Sequence, residues 1–153
     1  MASAPESAWL AHAREQLQRS GHRFGGARSA VLEALDREPC CLTAQEIFDN
    51  LRAGGRTVGI ASVYRALELL SKLGLVHRVD IGGAACFEPA HPGGEHHHHV
   101  VCDRCGKVAA FEDEGLERAI DSLGRRLKYK VGVHEVVLRG ACPDCRKYAA
   151  IRI

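Results

Sequence analysis

The sequence predicts an α/β chain of the α+β kind, in which a helical domain ending in a β-hairpin is joined to a small strand–helix–strand domain. Three observations carry this. Four segments with helical apolar spacing precede a Gly82-Gly83 hairpin signal. A Pro- and Gly-rich stretch, Pro89-Ala-His-Pro-Gly-Gly94, then reads as a linker. Two Cys-x-x-Cys pairs, Cys102/Cys105 and Cys142/Cys145, frame the C-terminal third of the chain. The expected domains are residues 1–88, a hinge at 89–95, and residues 96–153.

The first helix covers about 7–19, with Trp9, Leu10, Ala13 and Leu17 in one stripe. Gly21 ends it, and Gly21-His22-Arg23-Phe24 forms a connector. The second covers about 27–35, with Ala30, Val31, Ala34 and Leu35 inward and Pro39 just beyond. Thr43-Ala-Gln-Glu46 is a capping box that opens the third helix, whose inward residues are Ile47, Phe48 and Leu51. Gly54-Gly55 closes it. A fourth helix over about 61–73 buries Val63, Leu67, Leu70 and Leu73, and Gly74 stops it. Ser62, Tyr64, Arg65, Glu68 and Lys72 fall off that stripe, toward solvent or a ligand. Helices followed by a hairpin fit a winged helix-turn-helix with the fourth helix in the recognition role. The same pattern fits an ordinary small helical domain. In the second domain, residues 100–112 read as extended apart from the turn between Cys102 and Cys105. Leu116, Ile120, Leu123 and Leu127 space a helix, and 131–138 alternates as a strand.

Composition narrows the function classes. The chain has 153 residues and a net charge of +2, too small to argue for nucleic acid. Residues 1–88 hold as many acidic as basic side chains, but Lys72 is their only lysine. That arginine bias suits contacts to guanine or phosphate. The N-terminus lacks a basic segment leading into an apolar core, and no apolar run reaches membrane-spanning length. Seven cysteines with metal-type spacing indicate a reducing cytosol, so a cytoplasmic location is expected.

The two Cys-x-x-Cys pairs supply four thiolates, the set that a closed structural zinc site needs. A single pair would leave a redox motif or a buried pair open; two pairs in polar turns point to zinc. Glu95-His-His-His-His-Val-Val-Cys102 leads into the first pair. His-rich tracts are often tags or disordered scavengers, but this one is internal and runs into an apolar strand. Strand alternation then sends His97 and His99 to one face and His96 and His98 to the other. One strand thus serves two metal sites. The small domain would be marginal alone, so zinc and dimerisation are expected to stabilise it.

With these pieces in place, the chain resembles the ferric uptake regulator family of metal-sensing bacterial repressors, from about Leu17 to Cys145. The motifs are Gly21-His-Arg…Arg28, Ser62-Val-Tyr-Arg-Ala-Leu67, Gly74-Leu-Val76, His96-His-His-His-Val-Val-Cys-Asp-Arg-Cys-Gly106, His134 and Cys142-Pro-Asp-Cys145. The resemblance implies a winged-helix DNA-binding domain, a C-terminal α/β dimerisation domain, and a homodimer that binds palindromic double-stranded operator DNA when metal-loaded. It implies neither a membrane nor a small-molecule substrate, and no enzyme activity. Within the family the chain is similar to the zinc uptake regulator subgroup. His77 stands where zinc-sensing members carry a ligand. With Cys86, His97 and His99 it gives one sulfur and three nitrogens, a set that favours zinc over ferrous iron. His96, His98, Glu117 and His134 match the family's additional site, for two or three zinc ions per chain in all. Cys41, Glu88 and His91 are alternative sensor ligands, but Cys41 reads more readily as a partly buried free thiol. His22 departs from the usual aromatic after Gly21. Arg23, Ser62, Tyr64 and Arg65 are the expected DNA contacts. An iron or peroxide sensor is the competitor within the family. A zinc hydrolase is the competitor outside it, but no His-Glu-x-x-His motif is present.

Overall fold

The computed structural model describes residues 5–38, 40–93 and 96–149. The expected stop at Pro39 and the linker residues Gly94 and Glu95 lie outside the described residues, as does the C-terminal end of the second domain. The chain divides into two compact units, Met1–Glu95 and His96–Ile153.

The first unit is four helices and a small sheet. Helix α1 (Ala8–Arg19) starts where Ser7 caps the Leu10 N–H, and α2 spans Gly26–Arg37. Strand β1 (Leu42–Thr43) leads directly into α3 (Ala44–Ala53), followed by α4 (Ile60–Lys72), β2 (Val76–Ile81) and β3 (Ala84–Pro89). The sheet order is β1-β3-β2, antiparallel throughout. The predicted stripes meet in one core around Leu17, Leu35, Ile47, Val63, Leu67 and Leu70. Leu32, Ala66 and Leu75, outside those stripes, are buried as well. Trp9 is 2% exposed, and its indole N–H donates to the Leu75 carbonyl at 2.9 Å. This bond ties α1 to the chain just before the wing.

Thr43 has two roles. It pairs with Cys86 in the sheet, and it closes the capping box: Glu46 N–H donates to Thr43 Oγ1 at 3.1 Å, and Thr43 N–H to Glu46 Oε2 at 2.7 Å. Thr43→Ala is expected to lower the stability of this unit by about 1 kcal/mol, read as a reduced urea midpoint with unchanged slope.

Strand pairing continues past residue 88 to Pro89. Pro89 pairs with Val76, and Ala90 N–H donates to the Leu75 carbonyl at 3.0 Å, so the hairpin runs into the expected hinge.

The second unit is a three-stranded sheet, order β5-β4-β6, with two helices. Strands β4 (His98–Cys102) and β5 (Val108–Phe111) are antiparallel, while β6 (Val137–Gly140) lies parallel to β4 on its other edge. Helix α5 (Glu114–Leu127) begins at an Asp113 cap, and α6 (Pro143–Ala149) follows Cys142. The expected strand at 131–138 is corrected: only Val137 and Leu138 of that stretch join a ladder, and Val133 is 95% exposed. The alternation there marks apolar residues at a surface, not a strand. Helix α5 fully buries only Gly124, which Val131 approaches closely. Its Leu123 and Leu127 are exposed in the single chain, as are Val100 and Leu138. The unit thus leaves several large apolar side chains uncovered.

Candidate metal centres and nucleic-acid interface

Strand β4 explains how the first cysteine pair is presented. It ends at Cys102, and a tight turn returns the chain, with Gly106 N–H donating to the Cys102 carbonyl at 2.9 Å. Parallel pairing places Gly140 beside Cys102, so the chain leaving β6 delivers Cys142 and then Cys145 at the start of α6. The four sulfurs lie within 4.8 Å of one another, with Cys105 Sγ 3.8 Å from Cys142 Sγ. Thiolates ~2.3 Å from one zinc sit ~3.8 Å apart at tetrahedral angles, so the residues fit the ion. The Cys102 thiol is lowered to about 6 by backbone N–H groups, first that of Cys105 and then that of Cys142. Cys145 is pushed up to about 12, first by its hydrogen bond with Cys142. Backbone N–H groups thus favour the thiolate at Cys102, the form a metal ligand needs.

A second cluster lies on the other side of the histidine run. His96 and His98 rings are 5.2 Å apart, and Glu117 on α5 and His134 meet them. His98 Nε2 is 2.7 Å from Glu117 Oε1, and His134 Nε2 is 2.9 Å from Glu117 Oε2. His96 Nε2 is 3.2 Å from both Glu117 Oε1 and His134 Nε2. The Glu117 carboxyl is held below its usual range, first by the His98 hydrogen bond. These nitrogens and oxygens converge as ligands of one zinc-sized ion would. His98 carries a counter-preference. Its Nδ1 accepts the Val136 N–H at 3.3 Å, so its proton sits on Nε2, facing Glu117. An ion held through Nε2 would have to displace that proton.

The expected sensor ligands are divided between the units. His97 and His99 belong to the second, with rings 5.0 Å apart on the face opposite His96 and His98. His77 and Cys86 belong to the first. Register places them on one face of the hairpin: His77 opposes Glu88, and Val79 opposes Cys86. His77 is exposed, while Cys86 and Glu88 are buried. Cys41, just before β1, is buried, and the β1–β3 ladder sets nearby Thr43 opposite Cys86. His91 is exposed beyond β3.

Helix α4 presents the expected DNA contacts. Tyr64 is 57% exposed, and Arg65, also exposed, donates through Nη2 to Ser62 Oγ at 3.0 Å. Arg65 and Ser62 line a cleft of about 450 Å³ with His22 and Arg28. Arg28 Nη1 also donates to the Arg23 carbonyl at 3.3 Å, holding the connector beside the cleft, and Arg23 itself is exposed. Arg28 is absent from the contacts expected on sequence grounds. Its place in the first turns of α2, level with Arg65, is visible only once the helices are packed.

The ferric uptake regulator family model matches residues 19–139. The chain belongs to the ferric uptake regulator family. It is 35% identical over 134 residues to the ferric uptake regulation protein of Legionella pneumophila, covering 86% of this chain and 97% of the relative. The solved ferric uptake regulator of Vibrio cholerae superposes with a TM-score of 0.74 at 30% identity, covering 84% of this chain and 98% of that one. The Helicobacter pylori regulator, reported with three functional metal-binding sites, superposes at 0.78 with 25% identity over 95% of this chain and 97% of that one. The chain is therefore a metal-responsive transcriptional regulator and not an enzyme. Its two units have the architecture of this family: a winged-helix DNA-binding domain and a C-terminal dimerisation domain.

Proposed function

We propose that this regulator senses zinc in the cytoplasm and, as a zinc-loaded homodimer, represses zinc uptake genes from palindromic operators. The observation that carries the reading is Cys86, a buried sulfur on the wing strand β3 that shares its sheet face with His77. Joined by His97 and His99, it forms a sulfur-containing set that suits zinc better than ferrous iron. Cys102, Cys105, Cys142 and Cys145 hold a structural zinc in this reading. His96, His98, Glu117 and His134 hold a weaker additional ion. The bound metal supplies a bond between ligands that belong to different units. Such ligands, once they share an ion, favour one arrangement of the units and so one spacing of the two recognition helices. Operator half-sites one helical turn apart, ~34 Å, accept only that spacing. Chains without the ion reach it as a small fraction and bind correspondingly less well.

The exposed apolar residues Leu123, Leu127 and Leu138 support the homodimer. Arg65, Tyr64 and Ser62 on α4, with Arg23 on the connector, are assigned to DNA. Arg65→Ala is expected to weaken operator binding by about 1–3 kcal/mol while zinc content and dimerisation stay intact. A gel shift in which the variant matches wild type removes α4 from the recognition role.

An iron- or peroxide-sensing reading has its own observation: Glu88, a buried carboxylate opposite His77, is a harder ligand than Cys86. The Legionella and Vibrio relatives are regulators of ferric uptake, which points the same way. Operator anisotropy in metal-buffered solutions decides. Zinc should activate binding at lower free concentration than ferrous iron; activation by ferrous iron at equal or lower concentration overturns the zinc reading.

A further inference from the structure

Affinity for DNA that does not depend on sequence comes from cations that meet the phosphate backbone, and one cleft of the first unit collects them. The chain leaves α1 through Gly21, whose φ is 76°, and His22 N–H closes back on the Leu17 carbonyl at 2.9 Å. That reversal sets His22 at the cleft of about 450 Å³ that the start of α2 shares with α4. Arg28 lines it from α2 and Arg65 from α4. The Arg65 bond to Ser62 Oγ at 3.0 Å holds its guanidinium toward the first turn of α4, and Ser62 lines the same space. Among the described residues no carboxylate lines the cleft. Glu68, on α4, is paired with Lys72 at 3.1 Å.

We propose that His22, Arg28 and Arg65 form a seat for one phosphate group of the DNA backbone, beside the base-reading face of α4. The seat rests on the reading that α4 enters the groove. It adds His22 and Arg28 to the DNA contacts, as residues that carry affinity without sequence information. Two guanidiniums with no carboxylate between them repel each other, and an anion between them relieves the repulsion. Their planar forks suit phosphate oxygens, and the Ser62 hydroxyl is a further donor. His22 donates through one ring nitrogen when neutral and adds a charge when protonated. The charged groups that face it across the cleft, Arg28 and Arg65, are both cations, so its charge is balanced only when a phosphate is seated. Phosphate chemistry has two sources here, a DNA backbone and a free anion, and the place of the cleft on α4 selects the backbone.

The test uses the zinc-loaded full chain at matched zinc content. Affinity is measured by anisotropy against salt concentration, for an operator duplex and for an unrelated duplex. Each phosphate contact steepens the fall of log affinity with log salt by about 0.9. Arg28→Gln is expected to lower the slope by about that amount and to weaken both duplexes alike, about eightfold in ~0.1 M salt. His22→Gln should do the same at about pH 6 and little at about pH 8. Arg28→Lys keeps the charge and should keep the slope. A wild-type slope in Arg28→Gln, or in His22→Gln at the lower pH, overturns the proposal. Lower affinity at an unchanged slope does so too, since it marks a structural role through the Arg28 bond to the Arg23 carbonyl. A loss confined to the operator duplex marks base readout and also overturns it. So does phosphorus-NMR broadening of inorganic phosphate that Arg28→Gln abolishes while the DNA slopes stay, which marks a free-anion site. The reading of α4 fails on Arg65→Ala instead. If that variant is impaired while Arg28→Gln and His22→Gln match wild type, α4 keeps its role and the seat alone is removed.

Discussion

Cys105→Ser is expected to cost the chain one tightly held zinc and to drive it toward monomer or aggregate. The second unit explains the size of the effect. Among its described residues the buried apolar set is small: Val101 and Cys102 on β4, with Gly124 on α5. A sheet of three short strands with so little beneath it lacks the burial that stabilises a domain of this size. In the proposed reading, zinc held by the four cysteines compensates by tying the end of β4 to the start of α6. Structural zinc in comparable sites contributes roughly 10–16 kcal/mol at neutral pH, more than the whole stability of many domains. Serine removes one ligand and leaves three thiols crowded together. The apolar face carrying Leu123 and Leu127 then loses its scaffold, and dimerisation goes with it. Light scattering combined with zinc analysis tests this. An intact dimer with full zinc content would falsify the four-cysteine assignment.

Cys86→Ser should leave a folded dimer with its structural zinc but without zinc-stimulated operator binding. Serine nearly keeps the volume of cysteine, so packing in β3 is little disturbed, but its hydroxyl is a far poorer zinc ligand. An ordinary buried cysteine, the usual fate of a lone thiol, predicts the opposite: unchanged zinc response with at most a small loss of stability. His77→Ala should behave like Cys86→Ser. The double variant should be little worse than either, since both remove one site. If Cys86→Ser still binds operator in response to zinc, the sensor moves to Glu88, Cys41 or His91, and iron sensing returns with it.

Much of the fold and of the site is legible in the residues, for reasons that differ by element. The helices of the first unit show because each has a 3.6-residue stripe and a stop: Gly21, Gly54 and Gly74 stand just past α1, α3 and α4. The cysteine pairs show because two Cys-x-x-Cys spacings are what a tetrahedral metal site demands, and the four sulfurs do converge. The histidine alternation shows because a strand has period two. Strand β1 escapes sequence reading because two residues carry no periodicity; only the ladder to β3 defines it. Helix α6 is hidden behind the metal motif at its start. The stretch before Val137 misleads because the second unit keeps apolar residues at a surface, where alternation no longer reports an inward face. The pairing of Thr43 with Cys86 is also beyond sequence reading, since it depends on register between segments more than forty residues apart.

The indole–carbonyl bond of Trp9 has a practical side. The chain has one tryptophan, it is buried, and it belongs entirely to the first unit. Its fluorescence therefore reports the unfolding of that unit alone, with a red shift as the ring meets water. The exposed Tyr129 lies in the second unit and is silent when excitation is restricted to the red edge of indole absorption. Chelator titrations followed at this wavelength separate loss of the winged-helix unit from loss of the metal-dependent one. Set beside zinc release measured in the same titration, that trace then shows which half of the protein fails first.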